Sequence, residues 1–87
     1  MLIGIIVGVH GINGTNKVRF YADSLALFKS GSSILVRARD GQEKYRKINW
    51  VKPHTATALM SFDGINDRDQ AKALIGSELF ILKEELP

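Results

Sequence analysis

Gly8, Gly11 and Gly14 recur at intervals of three in the run Gly8-Val9-His10-Gly11-Ile12-Asn13-Gly14-Thr15-Asn16-Lys17-Val18-Arg19, which also holds one of the chain's two histidines. Glycine reaches φ > 0 without a Cβ clash, so this density marks backbone that turns tightly or is approached closely. A loop of this kind can cradle a phosphate with its amides. Its spacing, however, is neither the dinucleotide G-x-G-x-x-G nor a P-loop. No helix follows to add its dipole, because the next segment alternates as a strand. No nucleotide cofactor is expected, nor any other. The structural reading is a tight barrel corner in which glycines relieve crowding. The functional one is a loop whose exposed amides and His10 touch RNA or protein.

His10 and His54 could pair for metal or acid–base chemistry. Neither has a carboxylate at ligand spacing, and the chain has no cysteine. Zinc needs three or four such ligands, so no metal is expected. Serines in Asp-Ser, Gly-Ser-Ser, Met-Ser-Phe and Gly-Ser-Glu make no nucleophile elbow. The chain is therefore not expected to be an enzyme.

The basic residues are the stronger functional signal. Residues 10–52 hold nine Lys and Arg against three acids, whereas residues 53–87 hold three against six. That split, +6 against −3, suits a polyanion or an acidic protein surface, although a solvated sheet face has the same composition. Lys17 and Arg19 share a face of one alternating run, and Arg37 and Arg39 share a face of another. If the two runs lie on one side of the molecule, with Lys44 and Arg46 near them, they make a phosphate-tracking stripe. Tyr21 and Tyr45 are candidate stacking surfaces beside it. Trp50 reads as core.

The elements that must position these groups are short. Eighty-seven residues make one domain, and the 45% hydrophobic fraction argues against disorder. Met1–Val9 lacks the basic flank of a secretory signal and is too short to span a bilayer, so a cytoplasmic protein with no membrane partner is expected. Strands are predicted at Leu2–Val9, Thr15–Ala22, Ser33–Arg39, Gln42–Lys52, Thr55–Phe62 and Glu78–Leu82. Asp40-Gly41 joins the third and fourth as a hairpin. The fourth has no purely polar face, which predicts a bend or bulge near Lys47. Pro53-His54 should interrupt the pattern. In the fifth, Ala58, Met60 and Phe62 point inward, and Thr57, Leu59 and Ser61 outward.

Asp23 and Ser24 are placed to cap a helical turn through Leu25–Phe28. Asn66 or Asp67 caps the one real helix, Arg68–Ile75, with Ala71, Leu74 and Ile75 buried and Gly76 at its stop. Six strands and one helix predict a mainly β fold, a small closed or nearly closed antiparallel barrel plugged at one end.

Two segments carry a resemblance. Ile5-Ile6-Val7-Gly8-Val9-His10-Gly11-Ile12-Asn13-Gly14, followed after two residues by Lys17-Val18-Arg19, resembles the opening signature of the ribosome maturation factor RimM family. Gly64-Ile65-Asn66-Asp67-Arg68-Asp69-Gln70-Ala71-Lys72-Ala73-Leu74-Ile75-Gly76-Ser77-Glu78-Leu79 is similar to the segment that closes that family's N-terminal domain. Asn13 stands where a basic residue is common, and Thr15-Asn16 replaces an acidic-hydrophobic pair. The resemblance implies a six-stranded barrel like those of translation factors over residues 1–83, with 84–87 beginning a linker. The family's second domain, associated with docking a head protein, has no counterpart in these residues.

The implied function is non-catalytic: a domain assisting late maturation of the small ribosomal subunit and 16S rRNA processing. Expected partners are the immature subunit's rRNA or a head ribosomal protein, bound by a monomer. The candidate contact residues are His10, Gly11, Gly14, Lys17, Arg19, Arg37, Arg39, Lys44 and Arg46. The alternative is an adapter barrel that contacts a ribosomal protein with no direct RNA binding.

Overall fold

The apolar-rich runs become six strands, in which a period of two places one set of side chains on one face. They are β1 (Leu2–His10), β2 (Thr15–Phe20), β3 (Ser33–Arg37), β4 (Glu43–His54), β5 (Thr57–Phe62) and β6 (Glu78–Phe80). A short helix, α1 (Arg68–Lys72), precedes β6. The computed structural model describes residues 1–21 and 28–81. The expected turn from Asp23 to Leu27, residues Ala22 and Leu82, and the linker at 84–87 lie outside the described residues.

Every pairing is antiparallel, and the ring β1-β2-β5-β4-β3-β6 closes on itself. Closure gives every strand a partner on each side over part of its length. Ile3, Ile6, Val18, Ile34, Val36, Ile48, Met60, Phe62 and Leu79 fill the interior. Leu59 faces outward as expected, since it pairs with Lys17 on one side and Lys52 on the other. Yet it is only 7% exposed and stands outside the interior cluster.

The long strand β4 serves two partners. Glu43–Lys47 pair with β3, and Ile48–His54 pair with β5. The expected bulge falls between Ile48 and Trp50, where the strand passes from one partner to the other. Pro53 does not interrupt β4 as expected, but pairs with Ala58 inside it. Proline fits there because β3 pairs only as far as Lys47, so β4 has an open edge at that point. β5 begins two residues later than expected. Thr55 instead turns the chain at φ 53°, a left-handed conformation rare for a β-branched residue.

The helix is shorter than its sequence pattern. Asp67 caps it by accepting from the Gln70 backbone N–H at 2.8 Å, while Gln70 Oε1 accepts from the Asn66 N–H at 2.7 Å. After Lys72 the bonds tighten, with Leu74 N–H donating to Ala71 O and Ile75 N–H to Lys72 O. β1 causes the early stop. Its Ile6 carbonyl accepts from Gly76 N–H at 2.8 Å, and its Ile6 N–H donates to Ser77 O at 2.9 Å. Ala71 and Leu74 still reach the interior cluster, whereas Ile75 is only half-buried.

Candidate nucleic-acid interface

The glycine loop is held from beneath by the helix segment. Gly14 has φ 82°, and a Cβ there would lie 2.7 Å from Ile65 O and 2.9 Å from Asp67 N. Gly11 has φ 73° but open space around it, and its carbonyl accepts from Arg68 Nη1 at 3.1 Å. Behind the loop, Asn16 is fully buried and donates through Nδ2 to Ala71 O at 2.9 Å and to Gly8 O at 3.3 Å. The two segments that carried the resemblance are thus one packed unit, although fifty-odd residues separate them in sequence.

The nine candidate contact residues do not form one stripe. In the ring, β2 and β3 stand three places apart, on opposite sides of the barrel. Lys17 and Arg19 therefore point away from Arg37 and Arg39. Arg37 is already engaged. Its Nε and Nη2 donate to Glu43 Oε2 at 2.9 and 2.7 Å, and its guanidinium lies 4.4 Å over the Phe80 ring. Arg39 lies along Gly76, filling the space that a Cβ would need.

Lys44 and Arg46 pair with the inward-facing Val36 and Ile34. They line a cleft of about 600 Å³ with Asp63, Gln70 and Leu74, not the outer surface with Lys17. The expected stripe fails because adjacency in a barrel is set by non-local pairing, which strand sequences do not carry.

A different group does assemble. On the outer surface Lys17, Leu59 and Lys52 form one cross-strand row over β2, β5 and β4. Arg19 is exposed two residues further along the Lys17 face. The rings of His10 and His54 meet with centroids 5.3 Å apart, joining the glycine loop to the strained Thr55 turn. Among the described residues no three of His, Cys, Asp or Glu are grouped to hold an ion.

Trp50 belongs to this group, contrary to the core reading. The bulge sets Asn49 and Trp50 together opposite Ser61, and Asn49 Nδ2 donates to Ser61 Oγ at 3.4 Å. With unbroken alternation from buried Ile48, Trp50 would point inward. The extra residue turns it out, to 40% exposure, and turns Val51 in against the core. The signal was in the sequence: apolar residues at 48 and 51 have opposite parity, so one strand can bury both only with a bulge between them.

These features agree with known proteins. The model of the RimM N-terminal domain matches residues 1–86. The ribosome maturation factor RimM of Pelobacter propionicus is 33% identical over 98% of this chain and 49% of that protein. The RimM of Paramagnetospirillum magneticum is 35% identical over 98% and 47%. The chain spans about half the length of these curated relatives.

Among solved structures, a 16S ribosomal RNA processing protein RimM from Pseudomonas aeruginosa superposes with a TM-score of 0.85. It is 32% identical and covers 100% of this chain and 52% of that one. The RimM N-terminal domain of Thermus thermophilus shares the fold, with a TM-score of 0.76 at 22% identity over 100% of this chain and 93% of that one. A glycine corner locked to a capped helix, on a six-stranded barrel that matches from end to end, places the chain in the RimM N-terminal domain family.

Proposed function

We propose that this chain is a non-catalytic assembly-factor domain that acts in late maturation of the small ribosomal subunit and its 16S rRNA. The observation that carries this reading is the family match over residues 1–86, with relatives named ribosome maturation factors. We keep the domain division, residues 1–83 as barrel and 84–87 as the start of a linker, as part of this proposal. No helix among the described residues is long and apolar enough to cross a membrane.

On this reading the basic barrel binds phosphates of the immature subunit. Co-sedimentation of the 87-residue chain with immature small subunits tests it. Each neutralised phosphate steepens the fall of log K with log salt by roughly 0.7–0.9, so four contacts predict a loss of affinity of about 50- to 150-fold between 50 and 200 mM salt. Absent or salt-insensitive binding would overturn the reading.

The adapter alternative also has an observation in its favour. Tyr45, Leu35 and Phe80 form an outer cross-strand row, and Tyr45 is 52% exposed. It predicts that purified head proteins bind the chain without RNA and compete with subunits.

A further inference from the structure

We infer that the outer face of β2, β5 and the C-terminal half of β4 is a docking surface for single-stranded RNA, with Trp50 as base platform and Lys17 and Lys52 as phosphate contacts. The inference rests on the assembly-factor reading and names the surface and ligand form that this reading leaves open.

Charge is the first support. Across β1, β2, β5 and residues 48–54 of β4 there is no Asp or Glu, while Lys17, Arg19 and Lys52 are all present. Among the described residues none of these three makes an ion pair, in contrast to Arg37 with Glu43. Acids border this face without entering its strands: β1 separates Glu78 of β6 from Arg19, and Asp63 follows β5 with its N–H donating to Lys47 O. The three cations thus share their own strand segments with no carboxylate.

Geometry is the second. Leu59 sits between Lys17 and Lys52 and is nearly sealed although it faces outward. A lysine on each side of an outward leucine can lay its aliphatic stem along it while keeping its amine in water. Across the pleat the two lysines are two strand spacings apart, about 10 Å. Trp50 stands two residues from Lys52 on the same strand face, and the bulge that exposes it costs a ladder position. Exposed tryptophan beside cations is the arrangement that stacks unpaired bases while their phosphates are neutralised. A duplex keeps its bases stacked inside and offers Trp50 nothing comparable. An acidic protein surface would use the lysines but gives the indole no required role.

The test is direct because Trp50 is the chain's single tryptophan. Adding single-stranded oligouridine of about ten nucleotides, within the size such barrels cover, should quench its fluorescence. Salt should reverse the quenching with a log–log slope near −2 for three phosphate contacts. By anisotropy of labelled oligouridine, Trp50→Ala should weaken binding roughly ten-fold or more, and Trp50→Phe should restore most of it. The double variant Lys17→Ala/Lys52→Ala should lower the slope by about 1.4. Lys29→Ala/Lys72→Ala, the same charge change elsewhere, should leave binding unchanged, and circular dichroism checks that all variants fold.

Absence of quenching, or equal quenching by a duplex of the same length, overturns the inference. Equal binding of immature subunits by the wild type and the Trp50 and lysine variants overturns it too, while leaving the assembly reading standing. Oligouridine quenching without any subunit binding supports the surface and sinks the assembly reading. Loss of subunit binding in the variants without oligouridine quenching overturns RNA as the ligand and assigns the face to an acidic protein.

Discussion

Replacing Gly14 by alanine should lower the unfolding free energy by about 3 kcal/mol, whereas the same change at Gly11 should lower it by about 1 kcal/mol. Both residues have positive φ, 82° and 73°, so both variants carry the conformational strain of an L residue in the left-handed region. Only Gly14 adds a collision. Its Cβ would approach Ile65 O at 2.7 Å and Asp67 N at 2.9 Å, and backbone atoms cannot swing aside as a side chain end can. Relief requires the loop to lift from the helix segment.

A domain of this length has roughly 4–13 kcal/mol of stability in all, so the Gly14 change removes a large share. The melting temperature should fall by about 12–24 °C for Gly14→Ala, and by about 4–8 °C for Gly11→Ala. Denaturant midpoints measured side by side decide the matter. Equal, small losses at the two positions would mean that contact with residues 65–67 does not constrain the loop.

Asn16→Asp should be more damaging still, at about 3–5 kcal/mol near neutral pH, although it changes almost no volume. Asn16 is wholly buried, and its Nδ2 donates to two carbonyls, Ala71 O at 2.9 Å and Gly8 O at 3.3 Å. Its Oδ1 is buried without a partner among the described residues. A carboxylate has no N–H to give, so both of its oxygens would face acceptors or apolar atoms. Burial raises the folded-state pKa of such a group above its unfolded value of about 4.

The sign of the pH dependence follows from that shift. The unfolded state releases the proton first, so the penalty grows as pH rises above about 4 and shrinks as pH falls below it. The variant should accordingly melt closer to the wild type at acid pH than at pH 7. A pH-independent gap between the two would show that the loss comes from packing and not from an unpaired buried charge. Asn16 links β2 to the helix, so its loss should also free the glycine loop, visible as faster amide exchange at Gly11 and Gly14.

Much of this was legible along the chain. Alternation, or in β1 a continuous apolar run, marks the strands because burying a pleated strand demands it. Asp67 and Gln70 announce the start of the helix through the side-chain bonds they make there. The helix ends before its sequence pattern does because its stop is not local: Ile6, seventy residues earlier, takes Gly76 and Ser77 into pairing with β1. Pro53 misled for a related reason. Whether a proline is tolerated depends on which edge is open, and that depends on where β3 ends.

The candidate interface divides in the same way. Residue types and spacing by themselves determined the strand count, the glycine corner, the basic N-terminal portion and the family to which both motif segments point. Tertiary structure alone decided which cations are neighbours. Ring order sends Lys17 and Arg37 to opposite sides, joins Lys17 to Lys52 across Leu59, and brings His10 against His54. Periodicity records which face of a strand is buried, but pairing partners are chosen by contacts between distant segments. One bulge residue then reverses every later side chain, as Trp50 and Val51 show.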